Sequence, residues 1–210
     1  MAVLIDFTLS QLVMRVVAVL FVSTLQGFAV AAAAVALGDA GPRHDGRLSI
    51  NPLQHVDWIG GAVALVFAVG WSRWVAIDPQ ALKRGRLGFL LVVAAGFLVT
   101  LLGLAFLKWL RPFVLPLLPD TAAAAAFELV RTTIELGVWF ALVGLLPLPP
   151  LAGGQLLIAA LPKLHGRLDR IVLPLGVLVA VLIATGVITR VLDAPYRLLA
   201  GSVLGEQVGF

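Results

Sequence analysis

Long apolar runs separated by short polar connections dominate the chain. A bilayer's hydrocarbon core takes about 20 apolar residues per helix. Five runs approach that length, over 16–38, 58–77, 87–107, 122–146 and 171–189. They predict an all-α integral membrane protein, a single membrane domain over 1–210 with about five transmembrane helices. The second run contains Arg73 and two tryptophans, Trp71 and Trp74, placed as interfacial anchors are. A sixth piece, 147–161, is broken by prolines and glycines. Its part 151–161 is too short to span, which predicts a half-helix or re-entrant segment. Between the first two runs "DAGPRHDGRLSINPLQHVD" is polar; "GRLSI" allows a short strand and "NP" begins a turn.

Composition strengthens the membrane reading. Of 210 residues, 61% are hydrophobic and 12% charged, and the mean hydropathy is +1.07, beyond what a soluble domain of this size carries. With no cysteine, disulfides and thiolate metal sites are excluded. The excess of basic residues, 15 against 11 acidic, belongs to helix flanks and not to nucleic-acid binding. If the spans alternate, Arg73, Lys83, Arg84, Arg86, Lys163, Arg167 and Arg170 lie on one side. Arg43, Arg47, Lys108, Arg111, Arg190 and Arg197 lie on the other, a balance that sets no orientation. The N-terminus lacks the pattern of a cleaved signal peptide.

Two features stand out in the apolar background. "GLLPLPPLAGGQLL", 144–157, breaks the backbone inside a hydrophobic run. An unsatisfied backbone group in hydrocarbon costs several kcal/mol, so such a segment either lines a protein-covered cavity or lies just outside the bilayer. The residues alone leave both open. In the fourth run Glu128, Arg131 and Glu135 share one helical face. They either sit in the headgroup zone or pair inside the bundle, and Glu135 is the deepest.

Three blocks resemble the site-2 proteases, which are intramembrane zinc metalloproteases, in their compact bacterial branch. "GRLSINPLQHVDWIG", 46–60, is similar to that family's "GRLTLNPLxHxDPxG". "GLLPLPPLAGG" is similar to "NLLPIPPLDGG", and "VVAAGFLVT", 92–100, to a span carrying "AGPxxN". The resemblance covers about 22–161 and implies the family's fold and a bacterial inner-membrane location. It also implies a zinc site: two histidines and a base in "HExxH", and a distant aspartate as third ligand.

Aligned without a gap on "LGD", 37–39, the family's first histidine falls on Gln26, its glutamate on Gly27 and its second histidine on Val30. Its aspartate falls on Ala152 and the asparagine of "NLLP" on Gly144, while Phe97 and Thr100 replace the "GPxxN" residues. The three histidines, His44, His55 and His165, have no zinc-binding spacing. No catalytic residue and no bound zinc or other cofactor is therefore expected. The expectation is a pseudoprotease that holds a partner's transmembrane helix, or an accessory subunit of a membrane complex. Asn51, Pro52, His55, Asp57, Pro149, Pro150, Gly153 and Gly154 would line its groove. The alternatives are an active intramembrane zinc metalloprotease with non-standard ligands, and a small transporter or channel using the fourth-run charges.

Overall fold

The computed structural model describes residues 8–154 and 168–204. Among them the chain is all-helical, without strands. Helix α1, Leu9–Ala36, starts where the Thr8 hydroxyl accepts from the Gln11 N–H, and ends before Gly38, whose φ is +113°. Helix α2 is the single turn Gly41–His44, and a 3-10 turn covers Pro52–Gln54. Helix α3 is Trp58–Phe67, α4 is Gly85–Val114 and α5 is Asp120–Gly144. After the segment outside the described residues come α6, Leu168–Ala184, α7, Val187–Val191, and α8, Asp193–Leu204.

Helices α1, α4 and α5 pack on one another as the centre of the bundle. Small residues set their spacing. Gly96 of α4 lies under Val30, Gly103 under Leu25, and Gly137 of α5 under Leu104, the close approach that small side chains permit between membrane helices. Buried Val22, Leu104, Ile134 and Phe140 belong to the core this creates. Helices α1 and α4 are long and apolar enough to cross a membrane. In α4 only 28% of the most apolar window is buried, so most of its apolar side chains face outward. A water-soluble core helix would hide them, so the exposure of α4 fits a membrane-spanning helix.

The fourth apolar run matches α5 to within two residues at either end. The run over 58–77 does not form a span. Its helix, α3, ends at Ala68, which adopts left-handed geometry, and the chain then returns in extended form. The return follows α1: Ser72 bonds Gln26, the Asp78 N–H donates to Asp39 Oδ2, and the Lys83 N–H donates to the Leu37 carbonyl. The physical cause is a glycine pair. A Cβ on Gly60 would crowd the Trp71 carbonyl and one on Gly70 the Gly60 carbonyl, with no room for either. Trp71 is therefore 1% exposed in the core and is no interfacial anchor, while Trp74 is half-buried.

Two further expectations change. "GRLSI" forms no strand, because Gly46 takes a φ of +69° and the chain turns there; the sole β-bridge among the described residues joins Val56 to Ser72. The run over 171–189 is interrupted after Ala184 by left-handed Gly186, and α7 follows as a separate short helix. Helix α8 was not anticipated. It buries Tyr196, Ala200 and Val203, one face at helical spacing, and Tyr196 stacks on Trp139 of α5 at 4.3 Å between ring centroids. Residues 155–161 of the expected half-helix, and His165, lie outside the described residues.

Candidate functional site

The positions singled out on α1 and in the broken segment converge. Gly27, Val30, Gly144 and Ala152 line one space of about 10 Å³ together with Ser72, Arg73 and their neighbours in the extended return. That is room for about one water molecule. Residues more than a hundred positions apart thus meet where the family resemblance puts its chemistry.

Gln26 fastens this region. Its Oε1 accepts from the Ser72 hydroxyl at 2.7 Å, and its Nε2 donates to the Phe140 carbonyl at 3.3 Å. One buried amide therefore ties α1 to the extended return and to α5. Gly144 leaves room for it, since a Cβ there would stand 3.0 Å from Nε2. Val30 packs on Gly96 of α4.

Gly27 is filled from outside. A Cβ at this position would lie 2.4 Å from His55 Nδ1, so the imidazole occupies the space a side chain would need. His55 is 0% exposed. Its Nε2 lies 2.7 Å from the Ser49 carbonyl; a carbonyl can only accept, so Nε2 carries the hydrogen. Burial pushes the His55 pKa down, the Ser49 contact opposes this, and nearby Arg47 adds to the lowering. In the neutral ring Nδ1 is a bare acceptor, and no group among the described residues bonds it. The turn is held by Arg47, which donates to the carbonyls of Arg73 and Trp74 and whose own pKa burial lowers to about 10.

The other groove candidates have local partners. Asn51 Oδ1 accepts from the Leu53 N–H and Pro52 opens the 3-10 turn. Asp57 caps α3, its Oδ1 accepting from the Ile59 and Gly60 N–H groups. These caps account for the Asn-Pro and His-x-Asp spacing in structural terms. Around them the turn displays apolar side chains: Ile50 is 85%, Leu53 57% and Trp58 76% exposed.

The broken segment is partly buried among the described residues. Pro149, Pro150 and Leu151 are buried while Leu145 and Pro147 are exposed, the Pro149–Pro150 peptide is cis, and Pro150 packs against Gly176 of α6. Gly144, Leu151 and Ala152 line the small space. Its glycines serve the chain's own backbone. A Cβ on Gly153 would run into the Leu145 carbonyl and one on Gly154 into Leu148 and Pro149, and the Gly153 N–H donates to the Gly144 carbonyl at 2.7 Å.

Glu128, Arg131 and Glu135 do share a face, remote from this site. Arg131 pairs with Glu135 at 2.9 Å, both partly exposed. With Arg15 they line a cleft of about 430 Å³ between α1 and α5. Arg15 donates to the Leu65 and Val66 carbonyls at 2.6 and 3.0 Å, placing a cation at the C-terminus of α3. Sequence reasoning missed Arg15, Arg47, Ser72 and the role of Gln26. The one available signal was Ser72-Arg73 inside an apolar run.

The zinc implied by the resemblance can be tested on donor chemistry. Zinc is held by cysteine, histidine and carboxylate side chains. The small space is lined by glycine, alanine, aliphatic, tryptophan, serine and arginine residues, and the His55 imidazole packs on Gly27 of its wall. Among the described residues no group of three or more metal-ligating side chains lies together. The residues do not fit a zinc centre there.

No protein-family model matches the chain, and no solved structure matches it. Among curated proteins, it is 28% identical over 155 residues to one from Bacillus subtilis (strain 168) named "Putative zinc metalloprotease YwhC". The match covers 72% of this chain and 70% of that protein. It supports the site-2-protease-like relationship that the three motif blocks imply.

Proposed function

We propose that this chain is a site-2-protease-like membrane protein that binds a transmembrane segment of a partner protein and does not hydrolyse it. The observation that carries the reading is the convergence of Gly27, Val30 and Ala152 on one small space, beside the Gln26 amide, without a zinc-ligating donor set among the described residues. The similarity to a protein named as a zinc metalloprotease supports a shared ancestry of fold, while function is argued from the site. The exposed apolar side chains Ile50, Leu53 and Trp58, beside the buried His55 turn, offer a surface on which a partner helix can rest. A bacterial inner-membrane location and an accessory role in a membrane complex belong to the same proposal.

The test combines metal content with contact mapping. Protein purified in native lipid should hold far less than one zinc per chain by elemental analysis. A photo-cross-linker at Leu53 or Trp58 should label an apolar segment of one membrane protein, reproducibly, with the cross-link moving along that segment as the probe moves. One zinc per chain, with peptide cleavage lost in His55→Ala, would overturn the proposal in favour of an active protease. A chain that cross-links to nothing but lipid would overturn the partner-binding part.

A further inference from the structure

A second cleft lies at the far end of α4, away from the site above. It is enclosed by α4, α5 and α8, has a volume of about 880 Å³, and is walled mainly by apolar residues, among them Leu98, Leu101, Phe127, Leu199 and Val203. Lys108 and Arg111 stand at one end. We propose that this cleft binds an anionic glycerophospholipid, with an acyl chain along the apolar wall and the phosphate between Lys108 and Arg111.

Three observations select this occupant. The first is charge. Neither cation forms an ion pair among the described residues. Arg111 is held against the α5 wall by its guanidinium lying 4.8 Å over the Phe127 ring, which leaves its N–H edge for an anion. The second is length. From Lys108 to Leu98 the helix rises about 15 Å at 1.5 Å per residue. That is half the roughly 30 Å hydrocarbon thickness, the depth of one leaflet. A soluble anion would need the basic end alone; the apolar wall matches a lipid tail. The third is the interfacial setting. Lys108 closes the apolar part of α4, and exposed Trp109 stacks with Phe106 and meets Phe113 at a tilt beside it. Such aromatic groups collect at headgroup depth.

The test uses the full chain in nanodiscs of phosphatidylglycerol or phosphatidylcholine, followed by native mass spectrometry of the released protein. Wild type should retain one phosphatidylglycerol in clear preference to phosphatidylcholine. The double variant K108Q/R111Q should lose about thirtyfold in that preference, the effect of two cations near an anionic headgroup. R84Q/R86Q, at the other end of α4, should keep it. Ala105→Trp, which fills the cleft, should lower retention of the tail-bearing lipid while the thermal midpoint stays near that of wild type. Equal retention of both lipids, or unchanged preference in K108Q/R111Q, overturns the proposal. So does displacement of the lipid by millimolar inorganic phosphate, which marks a free-phosphate site. Copy-to-copy cross-linking through a cysteine placed at Leu102 also overturns it, because a second copy then covers the cleft.

Discussion

Two stretches of α4 face very different surroundings. Near Gly96 the helix meets Val30 at a distance that leaves no room for another methyl group, beside a region where Gln26, Gly27 and Gly144 interlock with a histidine turn and an extended return. Near Lys108 the same helix borders an open cleft of several hundred cubic ångströms with two cations beside it. The resemblance to a protease is written in the first region, yet that region is the fuller of the two. The second carries no family motif and has the space. Motif and available volume are separate properties, and in this chain they lie apart.

The contrast can be broken or sharpened by substitution. The largest effect is expected for Gly153→Ala. Its Cβ would meet the Leu145 backbone, which cannot move aside as a side chain can, and a loss of about 3 kcal/mol or more follows. Unfolding by denaturant titration in detergent checks this; a loss below about 1 kcal/mol would mean that the segment adapts readily. Gly27→Leu should cost about 1–3 kcal/mol through overpacking and should expel the His55 ring, visible as a new protease-sensitive bond within 46–57. Arg47→Met comes next. It leaves the carbonyls of Arg73 and Trp74 without their donor, a loss of about 1–3 kcal/mol readable by the same titration.

The pH response is smaller. Burial holds the folded His55 pKa below its unfolded value of about 6.5. Between those two values the unfolded chain binds more protons, so this contribution is full above about pH 6.5 and is lost as pH falls toward the folded pKa. The thermal midpoint should drop between pH 7.5 and 5.5, and the drop should shrink in His55→Gln. At the open, charged face of α5, Arg131→Gln removes a partly exposed pair and should change stability by less than about 0.5 kcal/mol. A loss as large as that of Arg47→Met would erase the distinction between the filled and open parts of the molecule.

Hydrophobic pattern made the long helices legible. The expected span over 122–146 and the observed α5 nearly coincide, because the three charges of this long apolar run share one helical face and leave the rest apolar. The fold-back after α3 was not legible by the same rule. Gly60, Gly70 and Trp71 read as ordinary span residues until the backbone contact between them is known. For the site, alignment on a short motif brought Gln26, Gly27, Val30 and Ala152 to attention; the last three line one space and Gln26 bonds Ser72 of its wall. What packs on Gly27 could not be read, because the His55 ring reaches it from 28 positions away. Whether the chain cleaves anything is a question of chemistry that the zinc and cross-linking measurements address.

The imidazole over Gly27 also couples two distant parts of the chain. Any side chain placed at position 27 must displace a ring wedged against the bare backbone, and with it a turn whose caps and carbonyl bonds are made around that placement. Substitutions at 27 and in the turn are therefore not independent: the cost of one depends on whether the other has already been made.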